Sequence, residues 1–490
     1  IEAGWTGLTG SAEMGGQGLP SSIGVAINEM MTTANWAWAM YPGLSEGAMA
    51  TLETSGTEQQ KKDYLPKLIS GVWSGTMCLT EPHCGTDLGL MKTKAVPNDD
   101  GSFAIDGTKI FISAGEHDLT ENIVHIVLAK LPDAPKGTKG LSLFIIPKFL
   151  VAEDGAAGER NGVLCGSIEH KMGIHGNGTA VLNFDNATGF LIGEPHHGLN
   201  AMFTYMNVAR IGTASQGAAA AERSYQGASE YARDRLAMRS ISGVKNPDGP
   251  ADAIIEHPDV RRMLLTQRVI AEGGRAMVTY ASQFADVYRG GKTPEARNAA
   301  EARLGFCTPI LKGFITELGV EAANHGVQVF GGHGYIQEWG MEQILRDSRI
   351  ATLYEGTTGI QALDLIGRKV LADKFKQLNM FTGDMFRFAG RFLPWKEEGK
   401  NKVMRKQAWT VAKLAIKWRL LSFRVAMRAK RNADNAGAAS VDFLMFSGYA
   451  FMAFMWAQMS AVATNKLLAG EGDKEFLESK LHTAEFFFQR

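Results

Sequence analysis

Short apolar runs between residues 75 and 193 set this chain apart from an all-helical protein. They include Ile123–Leu128, Leu141–Ile146 and Ala180–Phe184, and turn signals such as Asp106-Gly107 separate them. Such runs are typical of β-strands. Because the strands are confined to one block between helical segments, the sequence predicts separately folded layers and not alternating β-α-β units.

Helical patterns precede and follow this block. Before it, Thr57–Leu68 predicts a helix with Thr57 as N-cap, and Ile23–Met40 alternates too little for a strand. After it, long helices are predicted over Asn200–Arg235, His257–Tyr288 and Ala299–Gln328.

The predicted fold class is α+β, with several domains in a chain of 490 residues. A helical domain is expected over residues 1–76, incomplete at its start because Ile1 already lies within a folded pattern. A middle β-domain follows over residues 77–195. A helical bundle is expected over residues 196–380, and an additional helical module over residues 381–490.

Charge and cysteine content restrict the partners. The formal net charge is zero, which gives no general attraction for a polyanion, so no nucleic acid partner is expected. Cys78, Cys84, Cys165 and Cys307 show no C-x-x-C spacing, so neither a metal site nor a disulfide framework is predicted. Reduced thiols favour a cytoplasmic location.

The last module contains a basic helix and an uncharged one. Residues 400–431 lack Gly, Pro, Asp and Glu, and Trp409, Ile416 and Phe423 are spaced seven apart. A surface for an anionic partner or membrane is one interpretation, and a solvated face is the favoured one. Phe443–Asn465 has the length of a membrane span, but its polar residues favour a partner helix in an αα-hairpin. The basic stripe comprises Lys402, Lys406, Lys413, Lys417, Arg424 and Arg428.

Gly331–Gln361 is the stretch whose residues most strongly indicate a catalytic or ligand-binding site. It opens with a glycine cluster and later delivers a single carboxylate, Glu355, after an apolar piece. A lone glutamate is most often a surface or capping residue. Partial burial, the small residues that follow and the upstream glycines favour a catalytic base beside a ligand instead. The glycines do not follow a strand, so a Rossmann fingerprint is not indicated.

Two further loops place polar groups next to apolar runs. Met77–Leu90 carries Thr80 and Thr86 on a loop bent by proline and glycine, where a ligand-binding loop and a plain turn look alike. Lys109–Gly115 is predicted to be a strand end with Ser113 exposed. Taken singly, each of these segments has a structural explanation.

Taken together, these segments resemble the acyl-CoA dehydrogenase flavoprotein family, from about Gly4 to Arg368. The resemblance implies a helical domain, a middle β-domain and a four-helix bundle. Several segments are most similar to the subgroup that oxidises 3-(methylthio)propanoyl-CoA. The landmarks are, in order, Leu79-Thr80-Glu81-Pro82 with Gly85-Thr86-Asp87, Gly107-Thr108-Lys109 with Phe111-Ile112-Ser113, Lys171-Met172-Gly173, and Gln328 to Tyr335 leading to Arg346-Asp347 and Tyr354-Glu355-Gly356-Thr357.

The resemblance also implies the site residues. Glu355 would be the base, and Arg210 and Gly356 would lie on the substrate side. The cofactor would be FAD, and Gln328 and Gly332 would reach the FAD of a neighbouring subunit, which implies a homo-oligomer, expected to be a dimer. The remaining FAD-binding residues implied are Leu79, Thr80, Thr86, Ile112, Ser113, Arg235 and Thr357. The positions that depart from the common family pattern are Met238, Gly359, His175 and Asn177.

The implied reaction is the α,β-dehydrogenation of an acyl-CoA thioester to a trans-2-enoyl-CoA. Glu355 would remove the α-proton, and the β-hydride would pass to flavin N5. The substrate-specific expectation is 3-(methylthio)propanoyl-CoA to methylthioacryloyl-CoA, with electron-transfer flavoprotein as acceptor and no membrane contact. The alternatives are an acyl-CoA oxidase, a short- or medium-chain dehydrogenase, and a non-catalytic member associated with nucleic acid.

Overall fold

The computed structural model describes residues 2–489, and the chain divides into two compact units after Gly212. The first unit begins with helices α1 (Ser21–Ala34), α2 (Trp36–Ser55) and α3 (Glu58–Ser70). The predicted stretch Ile23–Met40 is therefore two helices. Asn35 has an extended backbone and accepts a hydrogen bond from the Trp38 N–H at 3.0 Å, so it ends one helix and caps the next.

The N-cap at Thr57 is confirmed. Its hydroxyl oxygen accepts from the Gln60 N–H at 3.2 Å, and the Gln60 side-chain oxygen accepts from the Thr57 N–H at 3.0 Å. This reciprocal capping box satisfies two N–H groups that the first turn leaves without a helical partner. Gln60 also donates to the carbonyl of Leu191 at 2.8 Å, which ties α3 to the last strand.

The strand block of the first unit is a mixed sheet that closes on itself. The strands are β1 (Trp73–Cys78), β2 (Lys94–Pro97), β3 (Phe103–Ser113), β4 (Asn122–Lys130), β5 (Leu141–Pro147), β6 (Phe149–Val151), β7 (Ala157–Arg160), β8 (Val163–Ile168) and β9 (Thr179–Ile192). Strand β4 pairs with β5, β5 with β9, β9 with β3, β3 with β2, and β2 again with β4, while β1 joins β4 and β8 joins β9. Strands β6 and β7 pair with each other in a separate two-stranded sheet. The strands predicted around residues 123–128, 141–146 and 180–184 are confirmed.

Two apolar clusters stabilise the first unit. Ile105, Phe144 and Leu182 belong to a cluster contributed by the strands themselves, and all three are buried. Leu52 and Leu68, from α2 and α3, pack in a second cluster with residues of β1, β4 and β5. The ends of β1 and β3 are therefore held in a rigid framework, which matters because two of the candidate loops leave the sheet there.

The second unit is helical. A helix predicted over Ala299–Gln328 is interrupted. Its first part, α6 (Pro294–Ile310), is followed by a π-helical turn, Leu311–Ile315, and then by α7 (Thr316–Phe330). A π-turn inside a helix is often found at functional sites. The helices are α4 (Gly198–Asp234, which crosses the division between the units), α5 (Pro258–Gly290), α6 (Pro294–Ile310), α7 (Thr316–Phe330), α8 (Met341–Ser348), α9 (Thr358–Leu363, continued by a π-turn over Asp364–Ala372), α10 (Lys376–Ala389), α11 (Lys402–Ala429), α12 (Asp434–Ala469) and α13 (Lys474–Gln489).

Helix α12 is long and apolar enough to span a membrane, but its central part is buried within the protein. It packs against α11 and forms the predicted αα-hairpin with it. It also packs against α9 and the π-turn Leu311–Ile315. The approach is close, because a Cβ added to Gly448 would lie 2.1 Å from the Phe314 ring. We therefore assign α12 as a core helix of the second unit.

Candidate active site

Glu355 lies on a turn between a short 3₁₀ turn, Arg349–Thr352, and helix α9. Its φ angle is 58°, in the left-handed region, and Gly356 follows at 89°. A glutamate in this conformation is uncommon, and the strain is of order 1–3 kcal/mol. The side chain is half-buried, as expected from the sequence. The turn directs a carboxylate away from a regular helix and leaves small residues beside it.

Two buried side chains hold this turn. The Gln361 amide donates to the carbonyl oxygen of Glu355 at 2.9 Å and to that of Gly356 at 3.3 Å. The Lys312 ammonium donates to the Gly356 carbonyl oxygen at 2.6 Å. Lys312 is fully buried, as is Gln361. The carbonyl oxygens of two successive residues, Glu355 and Gly356, are thereby fixed from inside the helical unit.

The flanks of the turn are fixed as well. Thr357 caps α9, since its hydroxyl oxygen accepts from the Ile360 N–H at 3.4 Å. Before the turn, the Tyr354 hydroxyl donates to the side-chain oxygen of Gln216. After it, the Thr358 hydroxyl donates to Glu317. The turn that presents the carboxylate is thus anchored from α4 and α7.

In the first unit, Thr80 lies just beyond the end of β1. Its carbonyl oxygen accepts from the Ile110 N–H at 2.9 Å, so the end of β1 lies beside β3. Leu79 and Thr80 are half-buried, whereas Thr86 is exposed on the following turn. The loop is shaped by Glu81 and Cys84, whose backbone groups exchange hydrogen bonds at 2.8 and 3.0 Å.

The buried carboxylate of Glu81 fixes the shape of the same loop through its hydrogen bonds. Its carboxylate accepts from the hydroxyl of Thr93 at 2.6 Å, from the Lys92 N–H at 2.7 Å and from the ammonium of Lys109 at 3.0 Å. Burial alone would raise the pKa of the Glu81 carboxyl, but the Lys109 charge and these donors hold that pKa below its ordinary value. His83 and Cys84 lie close enough to complete a three-ligand cluster, yet these three hydrogen bonds already engage the Glu81 carboxylate.

The end of β3 lies beside the loop that follows β1 and carries the other candidate flavin-binding residues of the first unit. Phe111 has a φ of 61° and its ring is 60 % exposed, while Ile112 is buried. Ser113 is half-buried, so the expectation that it is exposed is wrong; the antiparallel pairing of Ser113 with Thr179 covers it. The Asn177 side-chain oxygen accepts from the Ala114 N–H at 3.3 Å and so ties the 171–177 segment to this strand end.

These residues fit an isoalloxazine ring. Thr80 and Ser113 are half-buried hydroxyls at the ends of β1 and β3, and Leu79 adds a half-buried apolar side chain next to Thr80. A flavin has hydrogen-bonding groups along one edge and an apolar face, so hydroxyl and backbone donors beside an apolar side chain are a suitable donor set. FAD is therefore compatible with the residues present.

Arg235 follows α4 and is exposed. Its backbone is fixed, because its carbonyl oxygen accepts from the Ile254 N–H at 2.8 Å. The loop that follows is ordered by Asp252, which accepts from the Ser240 and Asn246 N–H groups, both at 2.7 Å. These backbone donors lower the pKa of the Asp252 carboxyl to about 2. Met238 on this loop has a φ of 60° and is largely exposed.

The remaining predicted residues lie on other elements. Gln328 is exposed at the end of α7, and Gly332 is exposed on the 3₁₀ turn that follows, with open space where a Cβ would be. Arg210 is buried on α4, in the first unit. Within the second unit, Glu355, Gly356 and Thr357 form one turn. Within the first, Thr80 and Ser113 occupy neighbouring strand ends.

Sequence reasoning missed Lys312 and Gln361, and it assigned no role to the Glu81–Lys109 pair. A signal for Lys312 was present, because it is the single charged residue between Arg303 and Glu317. A lone lysine in an apolar helical run is either buried with a partner or directed to a functional group.

Family descriptions match consecutive parts of the chain. The acyl-CoA dehydrogenase N-terminal domain matches residues 1–72, the middle domain residues 76–187 and the C-terminal domain residues 196–371. Residues 381–490 match a domain described as acetyl-CoA dehydrogenase C-terminal like. Domains of one enzyme family thus cover the chain except for short connections between them.

Characterised relatives extend over the same length. The chain is 45 % identical to a 3-methylmercaptopropionyl-CoA dehydrogenase of Ruegeria pomeroyi over 100 % of this chain and 82 % of that protein. It is 36 % identical to a broad-specificity linear acyl-CoA dehydrogenase of Mycobacterium tuberculosis over 99 % of this chain and 81 % of that protein.

Solved structures show the same fold. An acyl-CoA dehydrogenase complexed with FAD from Bacillus anthracis superposes with a TM-score of 0.78 at 23 % identity, over 99 % of this chain and 78 % of that one. ACDH-11 of Caenorhabditis elegans, in complex with C11-CoA, gives a TM-score of 0.74 at 20 % identity, over 91 % of this chain and 70 % of that one. By its domains and by its full-length relatives, this chain belongs to the acyl-CoA dehydrogenase family.

Proposed function

We propose that this FAD-dependent dehydrogenase oxidises 3-(methylthio)propanoyl-CoA to methylthioacryloyl-CoA. The full-length similarity to the Ruegeria enzyme supports this thioester as the substrate. The observation that carries the chemistry is the half-buried Glu355 carboxylate on a left-handed turn fixed by Lys312 and Gln361. A fixed carboxylate beside small residues is suited to remove a proton from a bound thioester.

Glu355 acts as the general base. The hydrogen on the carbon next to a thioester carbonyl is weakly acidic, and its removal places charge on the carbonyl oxygen. The Glu355 backbone N–H is the donor that this chain offers to that oxygen. The proton moves to the Glu355 carboxylate as the Cα–Cβ double bond forms. Bound FAD supplies the acceptor for the hydride that leaves Cβ, so proton and hydride together account for the two hydrogens lost.

Other residues hold the cofactor and substrate. Thr80, Ser113 and backbone groups of Leu79 and Thr86 would hold the flavin, and Ile112 would flank its ring. Arg235 would bind the pyrophosphate, and Thr357, next to the base, would contact the cofactor. Arg210 and Gly356 lie on the substrate side. The half-buried hydroxyls and the ordered backbone at Arg235 support this assignment.

The electron acceptor is electron-transfer flavoprotein, and the enzyme is a homodimer. A structure described as an electron transferring flavoprotein of Acidaminococcus fermentans is similar to this chain, with a TM-score of 0.62 at 25 % identity. Gln328 and Gly332 are exposed and have room around them, as needed to reach the FAD of a second subunit.

Anaerobic bleaching of the flavin tests the proposal. Purified holoenzyme is mixed with 3-(methylthio)propanoyl-CoA and with straight-chain acyl-CoAs of several lengths. The proposal expects the methylthio substrate to bleach the flavin with the highest kcat/KM. Preference for a straight-chain thioester would contradict the substrate, and no bleaching by any thioester would contradict the function.

The same enzyme in air separates a dehydrogenase from an oxidase. We expect slow peroxide formation without an added acceptor and fast turnover with electron-transfer flavoprotein. Rapid peroxide formation that matches the bleaching rate would identify an acyl-CoA oxidase.

A further inference from the structure

The buried Lys312 ammonium contacts the turn that carries the base. It donates at 2.6 Å to the carbonyl oxygen of Gly356, the residue directly after Glu355. Lys312 has no exposed surface and lies on the π-helical turn Leu311–Ile315. Burying an ammonium group is unfavourable by several kcal/mol unless charge-assisted bonds compensate. A hydrophobic side chain would fill the same space without this penalty. The buried charge therefore indicates an interaction that a hydrophobic residue could not make.

The turn at Glu355 and Gly356 explains why a charged donor is placed here. Glu355 and Gly356 have φ angles of 58° and 89°. Two successive left-handed residues, one of them not glycine, do not persist without external support. Gln361 binds the same Gly356 oxygen at 3.3 Å and the Glu355 oxygen at 2.9 Å. The shortest of these bonds is the one from Lys312, and it carries a full charge.

We propose that Lys312 is a positioning residue for catalysis, which fixes the carbonyl of Gly356, the residue after Glu355, so that the carboxylate meets the substrate α-carbon. This inference rests on the proposed role of Glu355 as base. It assigns a catalytic purpose to a buried charge on the far side of the turn, where it need not touch the substrate. The π-turn serves the same purpose, because it aims the Lys312 side chain across the helix packing toward α9.

The experiment measures flavin bleaching in stopped flow with purified holoenzyme and its acyl-CoA substrate. Lys312→Met keeps an unbranched side chain out to the ε position and removes the ammonium donor. Lys312→Arg keeps a charged N–H donor. Ile310→Ala, a cavity variant two residues away, reports the effect of destabilisation alone; Ile310 is fully buried.

Lys312→Met is expected to slow bleaching by about ten- to a hundredfold, since small misplacements of a catalytic group have effects of that size. FAD content and KM should stay within about threefold, and the α-deuterium isotope effect on bleaching should rise, because proton removal becomes more limiting. Lys312→Arg should recover part of the rate. Ile310→Ala should lower thermal stability and leave the isotope effect unchanged.

The proposal is overturned if Lys312→Met bleaches as fast as wild type. It is also overturned if Lys312→Met and Ile310→Ala lose rate in parallel with stability and show the same isotope effect. A wild-type enzyme that no thioester bleaches would contradict the proposed function instead, so the two failures are distinguishable.

A separate observation concerns the outer face of helix α11. Its inner face packs on α10 and α12 through buried residues such as Val411 and Trp418. Its outer face leaves large apolar side chains in solvent, with Trp409 60 %, Leu420 54 % and Phe423 59 % exposed. Ile416 and Met427 continue the same stripe at helical spacing. The basic residues of the stripe are exposed, as the sequence predicted, and an exposed apolar stripe lies beside them.

We infer that this face binds an anionic lipid surface. The basic stripe that begins at Lys402 and ends at Arg428 runs alongside the apolar one, and residues 400–431 contain no acidic residue. A two-fold contact with a second copy would bring these like charges together without acidic partners. Nucleic acid would satisfy the charges but not the apolar stripe. Anionic headgroups and the acyl-chain boundary satisfy both, as for helices that lie in a membrane interface.

Vesicle sedimentation tests this surface with the full holoenzyme. Phosphatidylcholine vesicles with and without phosphatidylglycerol are compared at low and high salt. Lys413→Glu with Lys417→Glu removes charge, and Trp409→Ser with Phe423→Ser removes apolar contact. Lys136→Glu with Lys139→Glu, two exposed lysines of the first unit, is the charge-matched control.

Binding is expected only with phosphatidylglycerol, weakened by salt and by each α11 variant on the order of tenfold or more, and unchanged in the control. Absence of wild-type binding, equal binding of the α11 variants, or tighter binding to duplex DNA than to vesicles would overturn the inference. So would conversion of a dimer to monomers by Trp409→Ser with Phe423→Ser, which would identify the face as a contact between copies.

Discussion

The ammonium of Lys109 lies 3.0 Å from the carboxylate of Glu81, and both side chains are essentially buried. Lys109 also donates to the carbonyl oxygen of Leu79 at 3.1 Å, so the pair connects β3 to the loop that carries Thr80. Breaking a buried pair by removing one partner leaves an uncompensated charge. The pair therefore fixes the shape of the candidate flavin-binding loop.

Lys109→Gln should destabilise the protein by about 3–5 kcal/mol, because the Glu81 carboxylate would remain buried without its main counter-charge. Urea unfolding measures the change, and the FAD content after purification should fall with it. Glu81→Gln combined with Lys109→Gln should lose less than the sum of the single variants. Additive losses in this cycle would show that the two groups are not coupled.

Glu355→Gln should slow flavin bleaching by about 10²–10⁴-fold, because an amide cannot accept the α-proton. FAD content and the unfolding midpoint should match wild type, since the backbone bonds to the turn remain. Glu295→Gln, at an exposed glutamate in the first turn of α6, is the control and should bleach normally. Bleaching of Glu355→Gln at the wild-type rate would remove Glu355 as the base.

Arg235→Ala should lower FAD retention through loss of a cation at the pyrophosphate. Arg233→Ala is the matched control, because the Arg233 guanidinium is engaged with the Ser229 hydroxyl at 2.7 Å on its own helix. The ratio of flavin to protein absorbance after dialysis measures both. Equal retention in the two variants would contradict the assignment of Arg235.

His125 should make folding stability depend on pH. Burial, with the nearby charges of Lys148, His117 and Arg160, lowers the pKa of His125 to about 3. In the unfolded chain the ring takes up a proton below pH ~6.5, so the unfolded state binds more protons between about pH 6.5 and 3. The contribution of His125 to the free energy of unfolding is therefore fully present above about pH 6.5. It decreases as the pH falls through the window, by up to about 1.4 kcal/mol per pH unit.

The test compares the free energy of unfolding of His125→Gln and wild type from pH 7 down to the acid limit of folding. His125→Gln should show a slope smaller by about one proton. His170→Gln, at an exposed histidine outside the sheet core, is the control and should keep the wild-type slope. A wild-type slope in His125→Gln would show that this ring is not the titrating group.

The sequence predicted elements whose signals are local. The cap at Thr57, the strands at Ile123 and Leu141 and the hairpin of α11 with α12 all depend on neighbours within a few residues or on periodicity. The break at Asn35 and the π-turn at Leu311 were not predicted, because apolar spacing continues through both. In the site, the position of Glu355 was predicted from its motif. Its supports, Lys312 and Gln361, depend on packing between helices, which spacing does not reveal.

The close approach of α12 to the π-turn ties the last hundred residues to the base. Leu444 lies against Gly313 and Gly448 against Phe314, the two residues that directly follow Lys312 on the π-turn. A chain shortened to residue 380 would expose that turn to water and loosen the lysine that holds Glu355. The added helices therefore support the candidate base from outside its own turn, through the packing of α12 on the π-turn Leu311–Ile315.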